Sequence, residues 1–299
     1  MGQLVAALGA SHNPHLLMPV ERWEEVFEVL SPAGVPEFVR HGETTDQARA
    51  AMEFSERALA DLRKRLDAAR ADALVVIAND QGVNFFSFVP TFAVYVGRRH
   101  ATGRFGPHVF DYACDWEFAE TILDEAMDRH FDVAFMEEIR LQHTQNVPLY
   151  YLLPPGAPGN IPILPVFVNT YMDPMPTAER CYAFGQMLRG AIARSGRRVA
   201  VLATGGLSHF PGSTRIGEID EAFDRWAIAQ MEAGRSGELA ALSSKALRDS
   251  GNIELRNWIT LLGVVGDARA RIAYRPSLWA VTGLAYGHWD VASPDAGSR

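Results

Sequence analysis

A chain of 299 residues, 48% hydrophobic and 21% charged, holds enough apolar material for a substantial core in one large domain or two closely packed lobes. Its formal net charge of −8 and pI near 5.6 argue against a global positive field of the kind that draws nucleic acid or an anionic membrane. The two cysteines, Cys114 and Cys181, form no C-x-x-C pair, which argues against a disulfide framework and a cysteine-rich zinc site and fits a reducing cytoplasm. The N-terminus lacks a basic leader with an apolar core, and no run approaches the roughly 20 apolar residues that span a bilayer. A cytoplasmic protein is expected.

Residues 4–10 are continuously apolar and end in Ser11-His12-Asn13-Pro14-His15, the pattern of a buried strand that delivers polar residues at its C-terminal end. Charges interleaved with Ala, Leu, Met and Phe over Thr45–Ala69 predict a helix, with Thr44, Thr45 or Asp46 as N-cap. The apolar run Ala73–Ala78 then ends in Asn79-Asp80-Gln81. Strand, helix and strand in succession form a βαβ signature, which predicts an α/β fold with a mostly parallel or mixed central sheet flanked by helices. Residues 85–96 predict a further strand pair around Pro90.

A third apolar segment, 161–168, precedes a predicted helix over 177–194, and residues 199–203 lead into Thr204-Gly205-Gly206-Leu207-Ser208-His209. The Pro/Gly-rich stretch 154–162 reads as a loop. The expected division is a catalytic domain over 1–290 and a flexible tail over 291–299. Three predicted strands thus finish in clusters containing His12, Asp80-Gln81 and His209. In open α/β sheets ligands collect outside the carboxyl ends of strands, so these clusters are candidates for one site.

Taken singly, each residue has an ordinary structural reading beside its functional one. His12 and His209 sit in turns, the latter after two glycines that permit a close backbone approach. His143 lies in Gln142-His143-Thr144-Gln145-Asn146-Val147-Pro148-Leu149, where it could simply cap a helix. Glu254, in Glu254-Leu255-Arg256-Asn257-Trp258, opens a helix and could complement its dipole or pair with Arg256.

Together the segments resemble the LigB-type (class III) extradiol ring-cleavage dioxygenases. Ser11 to His15 is similar to the first metal-ligand motif of that family, Ala203 to His209 to its acid/base histidine motif, Glu254 to Trp258 to its carboxylate-ligand motif, and the His143 stretch to its substrate-side histidine. Trp279-Ala280-Val281-Thr282-Gly283 resembles the family's closing strand. The resemblance implies a single α/β domain with the metal at one end of the sheet. It also implies His12 and Glu254 as metal ligands, and His209 and His143 as catalytic residues. The cofactor would be Fe(II), with Mn(II) or another divalent metal as the alternative. The partners would be an aromatic substrate and O2, and the assembly a homo-oligomer, in some family members with a small helical partner subunit.

Such chemistry needs a redox-active metal, because O2 does not react directly with a closed-shell catechol. Two histidines and one carboxylate leave open positions on Fe(II) for both catecholate oxygens and O2. A histidine titrating near neutrality suits deprotonation of the diol. The departure is Gln81, which stands where the family pattern has an iron-binding histidine. A neutral amide oxygen binds Fe(II) less readily than imidazole, so Asp80 is a possible substitute ligand. His15, Asn84, Phe85 and Arg256 are expected on the substrate side, although Phe85 suits plain core packing and Arg256 suits an ion pair with Glu254. Two other readings stay open: a metal-assisted hydrolase or lyase acting on an aromatic or enol substrate, and a non-catalytic subunit of a heteromeric dioxygenase.

Overall fold

The computed structural model describes residues 1–25, 36–98, 100–157 and 159–291. The expected tail lies, beyond residue 291, outside these described residues. β2 (Ala73–Ala78), β8 (Ile163–Val168) and β9 (Arg198–Thr204) are buried over almost their whole length and β1 (Gln3–Ala10) over its C-terminal part, so apolar residues face helices on both sides. They lie in an eight-stranded sheet that also contains β3 (Phe92–Tyr95), β6 (Ala134–Met136), β10 (Ala270–Ser277) and β11 (Thr282–Trp289), in the order β10-β11-β1-β9-β2-β8-β3-β6. The centre, β1-β9-β2-β8, is parallel. β11 closes antiparallel on β1, and β3 runs antiparallel to β8. The α/β fold with a mixed sheet is therefore as expected. A small second sheet joins β4 (Ala101–Phe105), β5 (His108–Tyr112) and β7 (Arg140–Leu141).

Helices cover both faces. On one side lie α2 (Thr45–Ala69) and α4 (His143–Leu152), which follow the short α1 (Glu37–Gly42) in chain order with α3 (Trp116–Asp128) between them. The other side carries α3, α5 (Ala178–Arg194), α6 (Glu221–Glu232), α7 (Ser236–Ala240), α8 (Ser244–Asp249) and α9 (Leu255–Val265). The predicted helix over 45–69 forms with Thr44 as N-cap in a reciprocal capping box with Gln47, and Thr177 caps α5. The predicted strand pair over 85–96 is corrected to a single strand, β3. The preceding backbone N–H groups of Gly82, Val83, Asn84 and Phe85 bond the Asp80 carboxylate instead of a neighbouring strand. The closing-strand segment 279–283 is mostly the turn between β10 and β11, with Val281 at φ 62°.

Candidate active site

Because β1, β9 and β2 are adjacent and parallel, their C-terminal ends deliver His12, the 204–209 loop and Gln81 to one place. Glu254 meets them as the residue preceding α9, and His143 as the first residue of α4. Glu254 is the hub. Its Oε1 accepts from His12 Nε2 (3.2 Å), Asn79 Nδ2 (3.1 Å) and Gln81 Nε2 (3.3 Å); its Oε2 accepts from the Gly206 N–H (3.1 Å) and lies 3.8 Å from His209 Nε2. Burial alone would push this carboxyl up, but His12, His209 and the converging donors outweigh it and hold its pKa well below the usual carboxylate range. It stays ionised.

The loop after β9 can wrap the carboxylate only because of its glycines. Gly205 has φ 140°, and a Cβ there would press on Glu254 Cβ at 3.2 Å. Trp258 Nε1 donates to the Gly205 carbonyl at 3.1 Å and Asn257 Nδ2 to the Thr204 carbonyl at 2.8 Å, so α9 fixes both the loop and the acid.

His12 and His209 are each oriented by the second ring nitrogen. His12 Nδ1 pairs with the Thr204 hydroxyl at 3.1 Å, a group that can donate or accept as the imidazole changes tautomer. His209 Nδ1–H donates to the Leu207 carbonyl at 2.7 Å, which leaves Nε2 as the free nitrogen facing the cavity and Glu254. Its loop is pinned through Ser208, whose N–H and hydroxyl both donate to the buried Asp224 carboxylate, joined there by Asn252 and Tyr274. His143 stands edge-on to His12, ring centroids 5.6 Å apart. Burial, with His12 second, lowers its pKa to about 3, so its ring is neutral.

Other expectations are not met by the placement of the residues. Asp80 is spent on its own loop: besides the four backbone donors it accepts from Asn84 Nδ2 and Gln142 Nε2, which leaves it turned away as a substitute ligand. His15, Asn84, Phe85 and Arg256 do not line the cavity. His15 is buried with its ring on Asn13 Oδ1 (2.5 Å) and against Trp23 (centroids 5.3 Å). Asn84 bridges Asp80 and the Arg140 backbone. Phe85 packs edge-on to Phe167 and Phe88 as core. Arg256 is buried and donates to the Pro176 and Ile253 carbonyls, so the expected pair with Glu254 does not form. Two lining residues, Gln142 and Tyr171, had no assigned role at the level of sequence. Tyr171 follows the end of β8, and the same strand-end rule that singled out His12 would have pointed to it.

A divalent metal is testable against this geometry. Two donors about 2.1 Å from one ion and at right angles to each other lie about 3 Å apart. His12 Nε2 and Glu254 Oε1 are 3.2 Å apart, with the Gln81 amide on the same oxygen. Rotating that amide turns its carbonyl oxygen inward. Among the described residues no group of three or more His, Cys, Asp and Glu side chains could hold a metal, and the side chain that reaches Glu254 from the end of β2 is the Gln81 amide. The set fits an ion bound by one imidazole, one carboxylate and one amide oxygen.

The cavity above these groups measures about 720 Å³, and its surface is more apolar than polar. A buried ionised acid ringed by histidines, at the carboxyl ends of parallel strands, marks this as an enzyme-type site. Residues 9–285 match the family described as the catalytic LigB subunit of aromatic ring-opening dioxygenase, and the chain belongs to that family. It is 29% identical over 176 residues to a 2,3-dihydroxyphenylpropionate/2,3-dihydroxicinnamic acid 1,2-dioxygenase of Klebsiella pneumoniae strain 342, covering 58% of this chain and 55% of that protein. A Burkholderia vietnamiensis protein of the same name is 28% identical over 213 residues, covering 69% and 66%. The match thus spans about half to two thirds of these relatives. An uncharacterized Escherichia coli K12 protein, JW3007, shares the fold with a TM-score of 0.56 at 13% identity, over 95% of this chain and 99% of that one.

Proposed function

We propose that residues 1–290 form an extradiol dioxygenase that opens a catechol- or aminophenol-type ring with O2, on a metal site altered at Gln81. Family membership supports ring opening. The observation that carries the reading is the Glu254 carboxylate, bonded to His12 on one oxygen and faced by His209 on the other, at the floor of a cavity sized for an aromatic ligand. His12, Glu254 and the Gln81 amide oxygen would hold the metal, Fe(II) in the leading reading and Mn(II) in the alternative. When bound, it would supply O2 activation and a docking point for the two ring oxygens.

The protein's own groups would do the rest. His209 Nε2, kept bare by the Nδ1–H bond to Leu207, takes the proton of a ring hydroxyl. The resulting imidazolium lies 3.8 Å from the Glu254 carboxylate, which steadies it until the proton is returned. His143, neutral at working pH, hydrogen-bonds the substrate without adding charge. The apolar side chains of the lining, Phe105 and Ile216 among them, pack on the ring. The reading is completed by a cytoplasmic setting and an assembly of several copies; among the described residues no helix is long and apolar enough to cross a membrane.

The single-imidazole donor set favours one other reading, a metal-assisted hydrolase or lyase with His209 as base. Anaerobic loading with Fe(II), followed by oxygen-uptake recording over a panel of catechols and aminophenols, separates them. Uptake coupled to ring opening supports the dioxygenase. Turnover without oxygen supports the hydrolase or lyase, and a site that stays empty in excess Fe(II), Mn(II) and Zn(II) points to a non-catalytic subunit.

A further inference from the structure

The cavity is large for a bare dihydroxybenzene, and its walls include Pro14, Met18, Phe105, Pro211, Ile216 and Val281. Room and apolar surface together call for a sizeable apolar substituent on the ring. The charge of the lining is the second observation. No lysine or arginine is among the described residues that line the cavity; its carboxylates are Glu254 at the floor and Glu25, which Arg22 pairs through two bonds of 2.7 Å. The loop that supplies Pro211 and Ile216 does carry Arg215. Its guanidinium, however, donates twice to Glu218 Oε2 (2.8 and 2.5 Å) and stacks 3.8 Å from the Phe210 ring centroid.

An anionic side chain entering this cavity would give up water and meet no lysine or arginine on the described lining, while Arg22 and Arg215 nearby are already paired with Glu25 and Glu218. The lost solvation acts against it. A neutral substituent loses little, and the Tyr171 hydroxyl and Gln142 amide are available for one polar contact. The relatives, by contrast, are named for substrates with a carboxylate-bearing side chain, dihydroxyphenylpropionate and dihydroxycinnamic acid. Resting on the ring-opening reading, we infer that this cavity takes a dihydroxy- or aminophenol ring carrying an uncharged, apolar substituent and rejects the same ring carrying a carboxylate.

A size-matched pair tests it: 3-(2,3-dihydroxyphenyl)propionate and its methyl ester, with catechol as a small neutral control. Dissociation constants are measured anaerobically on the Fe(II)-loaded and on the metal-free protein by tryptophan fluorescence. Specificity constants come from oxygen uptake. The ester should exceed the acid in affinity and in kcat/KM on the order of tenfold or more. An Ile216→Lys variant, which places a cation in the wall, should narrow or reverse that preference; if it does not fold, the pair on the unaltered protein decides alone. Equal or better binding and turnover of the acid overturns the inference while leaving the ring-opening reading intact. Selective binding of the ester without oxygen uptake supports the cavity preference and sinks the ring-opening reading. Failure of every diol to bind overturns both.

Discussion

Replacing Gln81 with histidine probes the weakest donor of the site. Gln81 Nε2 donates to Glu254 Oε1 across 3.3 Å, and its backbone N–H is held by Gln142 Oε1 at 3.2 Å, so the side chain leaves the end of β2 toward the carboxylate. An imidazole there keeps a nitrogen within reach of the same oxygen and replaces a poor Fe(II) donor with a good one. Without metal, the exchange trades one hydrogen bond to a charged group, worth about 1.5–3 kcal/mol, for another of the same kind, so stability should move by less than about 1 kcal/mol. With metal, Fe(II) affinity should rise about tenfold to hundredfold, or about 1.4–2.8 kcal/mol, the range over which altered ligand surroundings shift metal sites. Anaerobic titration against a chromophoric chelator reads the affinity, and urea unfolding in excess chelator reads the stability of the metal-free protein. Unchanged or weaker Fe(II) binding by a well-folded variant would refute a metal-facing role for residue 81.

Substituting His209→Asn removes the free Nε2 beside Glu254 while leaving the ligand set alone; kcat should fall about 10²–10⁴-fold with Fe(II) affinity nearly unchanged, as steady-state kinetics and metal titration will show. Asp224→Asn places an amide N–H₂ against a carboxylate position now filled by four donors, from the Ser208 N–H, the Ser208 hydroxyl, Asn252 and Tyr274. Stability should drop by about 2–4 kcal/mol in urea unfolding, with loss of kcat through the displaced His209 loop, and a variant as stable and active as the parent contradicts the network's role. His15 gives a pH test: burial holds its pKa down at about 3 from 6.5. The unfolded chain therefore takes up a proton below about pH 6.5 that the folded chain refuses, and stability is lost as pH falls from there toward about 3. Between about pH 7.5 and pH 5, His15→Gln should lose about 2 kcal/mol less than the parent, and equal losses in the two proteins would count against the buried neutral imidazole.

Local pattern determined much of this protein without reference to the rest of the chain. Continuous apolar runs ending in polar clusters identified β1, β2 and β9, because strands buried on both faces leave no alternation to misread. The 3.6-residue rhythm and a capping threonine identified α2. The motifs also named the residues that meet at the cavity floor, since His12, Gln81 and His209 each lie within a few residues of a strand's end. Tertiary structure decided which neighbours of those motifs share their direction. His15, three residues from His12, turns into the core beneath Asn13, and Arg256, two residues along α9 from Glu254, projects to the Pro176 carbonyl. Asp80, beside Gln81, is captured by the amides of its own loop. Side chains one to three positions apart on a turn or helix point to different surroundings, and spacing carries no record of what stands opposite each of them. The strand order β1-β9-β2, which gathers groups from residue 12 to residue 254 around one carboxylate, is likewise set by long-range pairing and packing of the whole sheet.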